Sequence, residues 1–229
     1  MTENELVFSI LGKVKPHLSD DTDLTPREVS FQIALQRALL LRNELNKNRT
    51  IDPSVIQDLG CVAVSPIDPA ECCDVVSGCK VMRTDLRIPS TIELHNDIAL
   101  TRVGPVNKTL KEYSKTTLEG SKWVGNGKYT TNEIYYYYAN GYIYLVSNND
   151  KHKFLDYINI RGVFEDPTDT IPFTNCSDGS SCYSSDSEYP LKAWMYTYIE
   201  GQVVNAYIQL YNLPADILND GSDNTVTKQ

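Results

Sequence analysis

The chain has 229 residues, 41% of them apolar, enough to bury a core without staples. Its formal charge of −9 argues against a dedicated nucleic-acid reader, which would carry a basic stripe. No apolar run approaches the roughly 18 to 20 residues of a membrane-spanning helix, and the opening MTENELVF has acids where a secretory signal has lysines, so neither a membrane partner nor ordinary secretion is expected. Tyrosine outnumbers phenylalanine 15 to 5, and its apolar body and polar tip suit half-buried surfaces such as interfaces.

In chain order, Val7, Ile10, Leu11, Val14 and Leu18 form a single helical stripe. Glu3 and Glu5 lie in the first turn and Lys13 and Lys15 near the end, as the helix dipole prefers. After a polar loop, Thr25-Pro-Arg-Glu28 is a capping box with proline at the first helical position. The helix it opens has the stripe Phe31, Ala34, Leu35, Ala38, Leu41 and Leu45, broadened by Ile33, Leu39 and Leu40, with Arg37 and Arg42 outside it. A breadth of this kind predicts neighbours on two sides. A short third helix is expected from Asp52-Pro53 to Gly60, and residues 1–60 together read as a small antiparallel helical unit.

The pattern then changes. Lys80–Ile88, Thr91–Leu94 and Ile98–Val103 read as short strands, and Pro105 opens a helix through about Leu118. Asn140-Gly141 lies between two aromatic and β-branched runs, Ile134–Tyr138 and Tyr142–Val146. This predicts a two-residue hairpin, because a type I′ turn needs positive φ at both positions. Leu155–Phe164 reads as a third strand of that sheet, and residues 174–188 as a flexible loop or a local ordered excursion. A final helix opens at Tyr189-Pro190, carries Leu191, Trp194, Met195, Tyr198, Ile199, Val203, Ala206, Tyr207 and Leu210 at helical spacing, and stops by Pro214. The fold class is α+β: an N-terminal helical unit over 1–60, a β-rich region over 61–188 with a Tyr-rich hairpin, a helix over 189–213 packed on the rest, and a polar tail over 214–229.

The charge is uneven. Residues 61–164 are nearly balanced, whereas residues 165–229 hold 2 basic and 10 acidic side chains. That is either a solvated flank or a surface that must not stick to a polyanion. The cysteines are Cys61, Cys72, Cys73, Cys79, Cys176 and Cys182. Their spacing is not that of a structural zinc site, so reduced thiols are the default, with a Cys176–Cys182 disulfide as the alternative.

Catalytic signatures are missing. His17, His95 and His152 form no H-E-x-x-H motif, there is no G-x-S-x-G elbow, and Gly127-Lys128 fails as a phosphate loop because Lys122 stands where its first glycine belongs. No enzyme activity and no cofactor are expected. Lys151-His-Lys153 and the pair Arg83 and Arg87 read as solvated or salt-bridged charges. Along Tyr135–Tyr138, alternate side chains must face opposite sides of a sheet, so one pair can enter a core while the other faces outward, as an ordinary half-exposed face or an interface. The stripe of the last helix poses the same choice, and such a stripe more often faces its own domain.

Several segments, in order, resemble the structural proteins encoded near the portal in crAss-like bacteriophages. They are Arg27 with Arg37-Ala-Leu39, Cys61-Val-Ala-Val64, Cys73 with Arg83–Ile92, Arg102-Val-Gly-Pro105, Tyr142-Ile-Tyr144, Ile160–Pro167, Glu188-Tyr-Pro-Leu191, and Leu213-Pro-Ala-Asp216 with Asn219-Asp220. The resemblance implies a non-enzymatic virion protein of the head-to-tail connector, made in the host cytoplasm. It would be an adaptor subunit in a dodecameric ring, docked to the portal and adjacent ring or tail proteins, with packaged DNA passing without specific binding. Contacts to neighbours are then expected from Tyr135, Tyr137, Tyr142 and Tyr144 on the hairpin, Trp194, Tyr198 and Tyr207 on the last helix, and Asp216 and Asp220 in the tail. The competing readings are another tail or minor capsid protein, an intracellular enzyme or binding module, and a peptide- or glycan-binding accessory protein.

Overall fold

The structure, a computed structural model, describes residues 1–17, 24–47, 51–67, 81–124, 127, 130–148 and 151–211. Its architecture is α+β: three helices pack pairwise against one another and rest on a curled eight-stranded sheet. Helix α1 (Glu3–Val14) starts from a capping box in which Thr2 and Glu5 satisfy each other's backbone N–H groups, and it buries Leu6, Val7, Ile10, Leu11 and Val14. Helix α2 (Pro26–Lys47) starts from the expected Thr25–Glu28 box. The last helix, α3 (Ala193–Tyr211), begins a few residues later than expected and buries Met195, Ile199, Val203 and Tyr207 in one four-residue row.

The sheet is built on β8 (Tyr157–Gly162). One edge of β8 carries β1 (Gln57–Asp58) and then β2 (Val62–Pro66), while the other carries β4 (Leu100–Gly104). From β2 the order continues through β3 (Met82–Thr84), β7 (Tyr142–Val146), β6 (Tyr135–Ala139) and β5 (Ser114–Lys115). Among the described strands, only the short β5–β6 pairing is parallel. The sheet curls until its ends meet, with the Tyr113 N–H donating to the Val103 carbonyl at 2.8 Å. Val62, Val64, Met82, Val103, Tyr136, Ile143, Leu145, Ile158 and Ile160 fill the inside. The Asn140-Gly141 hairpin forms as expected, with φ of 52° and 82°.

Four expectations are corrected. Asp52 does cap a turn, accepting from the Ser54 N–H at 2.9 Å, but the turn is a single one over Pro53–Val55, and β1 follows. The N-terminal segment therefore ends in the sheet instead of in a third helix. Gly60 has φ of +64° and faces the Thr174 carbonyl so closely that a Cβ would lie 2.2 Å from its oxygen. Residues 105–118 are turns and β5 instead of a helix, because Arg102 reaches over them and donates to the carbonyls of Lys108 (2.9 Å) and Leu110 (3.2 Å). Strand β8 belongs to the hairpin's sheet but is separated from it by β2 and β3.

The fourth correction is Arg37. It does not lie outside the core face of α2 but in the middle of it, fully buried in the row Val29, Ile33, Arg37, Leu41. Its Nη1 donates to the carbonyls of Phe164 (2.5 Å) and Glu165 (3.2 Å), and its Nε to that of Pro190 (3.3 Å). The Tyr189 ring lies 5.7 Å from the guanidinium carbon. Burial lowers the pKa of the group, and the Asp166 carboxylate works against that shift. Truncation by Arg37→Ala leaves three carbonyls unpaired and a cavity, so it should cost about 3–5 kcal/mol. Arg37→Lys should recover little of it, because one ammonium cannot fork to all three acceptors. Urea unfolding of the two variants beside the wild type checks both statements.

Candidate assembly surfaces

The hairpin separates its tyrosines by strand alternation. Tyr136 and Tyr138 face the inside of the curled sheet. Tyr135 and Tyr137 face the other side, and the pairing of Tyr144 with Tyr137 and of Tyr142 with Ala139 places Tyr142 and Tyr144 on that same face. There Tyr137 and Tyr144 stack with ring centroids 4.9 Å apart and planes within 1°, both buried beside Ile67. Tyr135 and Tyr142 are half-buried at the margin. The Arg83 guanidinium sits 4.4 Å from the Tyr142 ring centroid and that of Arg87 at 5.7 Å. Two residues that read as isolated basic spots thus converge on one aromatic ring.

On the helices the tyrosines divide. Tyr207 is buried and stacks on Tyr211 at 6.1 Å. Burial pushes its phenol up to about 12, so it is neutral at physiological pH. Trp194 and Tyr198 are on the opposite side of α3 and about half exposed. Asp216 and Asp220 lie outside the described residues, as do Cys72, Cys73 and Cys79. The sequence reading missed a further apolar row: Phe31, Leu35 and Leu39 project outward from α2, at 64%, 43% and 48% exposure. Phe31 and Leu35, expected in the apolar stripe of α2, therefore do not face the core. The signal was present in the row Val29, Ile33, Arg37, Leu41, whose arginine disguised it as polar.

The disulfide is also different from the expectation. Cys61 joins Cys176, with Cα atoms 5.0 Å apart, and Cys182 keeps a free thiol, so neither a wholly reduced set nor a Cys176–Cys182 bridge holds. The bond ties the β1–β2 connection to the excursion after Phe173, which is ordered by the Thr174–Ser181 bridge and by the Cys61 N–H donating to the Thr174 carbonyl. Burial pushes the Cys182 thiol up to about 11, which keeps it protonated and a poor nucleophile at neutral pH.

Beside this bond Asp58 gathers donors. It accepts from Lys108 Nζ at 2.5 Å, Asn159 Nδ2 at 2.6 Å and the Gly60 N–H at 2.9 Å. Burial raises its pKa, but the bonds from Lys108, Gly60 and Asn159 outweigh burial and leave it below the ordinary value. A crevice of about 430 Å³ lies alongside, lined by Asp58, Asn175, Cys182 and Glu188 among others. Among the described residues no three His, Cys, Asp or Glu side chains group to hold a metal ion. No helix among them is long and apolar enough to cross a membrane. What the site offers chemically is aromatic and apolar contact area with charged margins, the composition of a protein interface.

Such surfaces on an α+β scaffold suit a subunit of a larger assembly. The comparisons give the class: the family model for phage tail ring protein 2 matches residues 5–225. The chain belongs to that family and is a bacteriophage structural protein, a virion component that assembles with other virion proteins. None of the curated proteins compared matches it.

Two stability tests follow. Because the folded pKa of Asp58 is depressed, its stabilisation is complete above the ordinary value of 3.8 and is lost as pH falls through the folded one. Asp58→Asn should therefore be less stable than wild type at pH 7, with the gap in urea midpoint closing below pH 3.8; a gap that stays constant would exclude a charge effect. The disulfide closes a sequence separation of 115 residues. Its reduction, or the double change Cys61→Ser and Cys176→Ser, should cost about 2–5 kcal/mol in the same assay.

Proposed function

We propose that this protein is a ring subunit of the head-to-tail connector, docked to the portal in a dodecamer, and that it lines or seals the channel through which DNA leaves the capsid. Membership of the tail ring protein 2 family over residues 5–225 is the observation that carries the reading. A closed ring needs two different lateral surfaces on each subunit. Apolar side chains projecting outward from α2 and, separately, from α3 meet that need. The charge distribution supports the channel role. Residues 165–211 of the described structure hold seven acidic side chains against Lys192 alone. A wall beside moving DNA works by repelling phosphate, since cationic contacts would release counterions and hold the genome back.

The reading is tested by native mass spectrometry and electron cryomicroscopy of the protein with the portal of the same phage. The expected outcome is a twelvefold ring on the portal with a neutral or acidic inner wall. A protein that joins only the distal tail, or a ring whose inner wall is basic, overturns the connector role.

A further inference from the structure

Two crossings of the chain between the helical layer and the sheet meet at one covalent bond. In the first, the chain passes from Val55, in the core beneath the helices, to Leu59 and Val62 inside the sheet, and Cys61 lies between these last two. In the second it runs from Phe173, inside the sheet, to Tyr183, beneath the helices, and Cys176 lies between them. Cys176 is exposed and Cys61 partly so, which puts their bond within reach of a dissolved thiol or disulfide. The two segments are also held together without the bond. The Cys61 N–H donates to the Thr174 carbonyl at 3.0 Å, and the bare Cα of Gly60 leaves that carbonyl its place. Between Phe173 and Tyr183 the chain closes on itself. The Asn175 N–H donates to the Ser180 carbonyl at 2.8 Å, the Gly179 N–H to that of Asn175 at 3.1 Å, and the Cys182 N–H to that of Phe173 at 2.9 Å. The remaining described thiol, Cys182, packs against the sheet core and donates to Asn175 Oδ1 at 3.7 Å, and burial keeps it protonated.

We propose that Cys61 and Cys176 form a redox-switched clasp on the joint between the helical layer and the sheet, open as two thiols where the chain is made and closed in the released particle, with the same fold in both states. A phage chain is synthesised inside a bacterium, where thiols are kept reduced, and the finished virion leaves that compartment. The clasp needs only that the chain is a virion component, whatever ring it enters. Closure takes a small-molecule disulfide as the oxidant. The Cys176 thiolate attacks one of its sulfurs and expels a thiolate; the Cys61 thiolate then attacks the mixed disulfide and expels a second. Two cysteine thiols and one small disulfide become the Cys61–Cys176 bond and two small thiols, so protons and electrons balance. Because backbone hydrogen bonds already hold the two segments together, the second attack is intramolecular and outruns mispairing. The effect of closure is local as well as global. Segments that open separately in the thiol form must open together once a bond spans their separation of 115 residues.

Thiol trapping tests the clasp in the phage itself. Infected cells quenched with N-ethylmaleimide before lysis should yield Cys61 and Cys176 alkylated, and released particles quenched in the same way should yield them joined in one cross-linked peptide. In the purified full-length chain, reduction should leave the near-UV circular dichroism unchanged. Amide hydrogen exchange over residues 57–63 and 173–183 should rise at least about tenfold on reduction, at labelling times too short for α1 and the β6–β7 hairpin to exchange. Oxidised glutathione should re-form the bond and restore the protection. In the double variant Cys61→Ser and Cys176→Ser, exchange should be the same with and without reductant. A bond already closed in unlysed cells, free thiols in released particles, a bond from Cys61 or Cys176 to another cysteine, or loss of the near-UV signal on reduction overturns the switch. Exchange that reduction leaves unchanged, that rises equally in α1 and the hairpin, or that responds to reductant in the double variant overturns the clasp on the joint.

Discussion

The buried guanidinium of Arg37 is the constraint on which the arrangement of the helices depends. A charge so placed needs acceptors, and the acceptors are main-chain carbonyls at two distant points: Phe164 and Glu165, where the chain leaves the sheet, and Pro190, where it turns toward α3. One side chain thus fixes α2 to the sheet and to the approach of the last helix. It also fixes the rotation of α2 about its own axis. With Arg37 directed inward, Val29, Ile33 and Leu41 go inward with it, and Phe31, Leu35 and Leu39 have no choice but to face out. The exposed apolar row is a geometric consequence of the arginine.

A second buried network acts in the same region. Glu3 on α1 accepts from the Tyr183 hydroxyl at 2.9 Å and from the Ser30 hydroxyl on α2, so the first helix is bound to the second and to the segment before α3. Tyr183 and Tyr189 are both raised well above the usual phenol range, chiefly by burial, and stay neutral. They are hydrogen-bonding and packing groups, not acids or bases at neutral pH. Polar groups buried in this way favour one relative placement of the helices over slipped alternatives, since a slip leaves carbonyls and a guanidinium unpaired. For a subunit whose outer faces must meet other chains, that uniqueness matters more than the stability it adds.

Much of this was legible in the sequence where the signal was local. The α1 stripe, the Thr25–Glu28 box, the Asn140-Gly141 hairpin and the α+β class all follow from periodicity and turn chemistry within a few residues. The alternation of Tyr135 to Tyr138 between two faces was also legible, although which pair would face the inside of the sheet was not. What was lost depended on distant partners. Residues 105–118 have helical spacing, yet Arg102 and the β5–β6 pairing hold them otherwise. Gly60 looked like a helix C-terminus because a positive φ is common there; the real demand was the Thr174 carbonyl, 114 residues away in sequence. Cys61 and Cys176 could not be paired by spacing, and the Cys176–Cys182 alternative was attractive only because it was short. On α2, apolar residues on nearly every side left periodicity without a preferred face, and a buried arginine, like any buried charged residue, is not revealed by a hydrophobic stripe.

The tyrosine excess then has a physical rationale that differs between the two layers. In the sheet, Tyr137 and Tyr144 cover each other, and two arginines cap Tyr142, so that face is largely satisfied within the chain. On the helices, the aromatic side chains at Trp194 and Tyr198 have no such cover among the described residues. A subunit that must stay dissolved before it assembles benefits from that difference: wide apolar patches invite aggregation, whereas narrow rows of one turn or two, edged by charge, stay below the size at which monomers stick without selection. Rigid aromatics also lose little side-chain entropy when they dock, so a narrow row can still hold a neighbour once geometry brings it close. Narrow, charged-edged rows on helices whose rotation is fixed by buried polar bonds therefore allow assembly to depend on orientation, which is what a ring with a defined number of subunits requires.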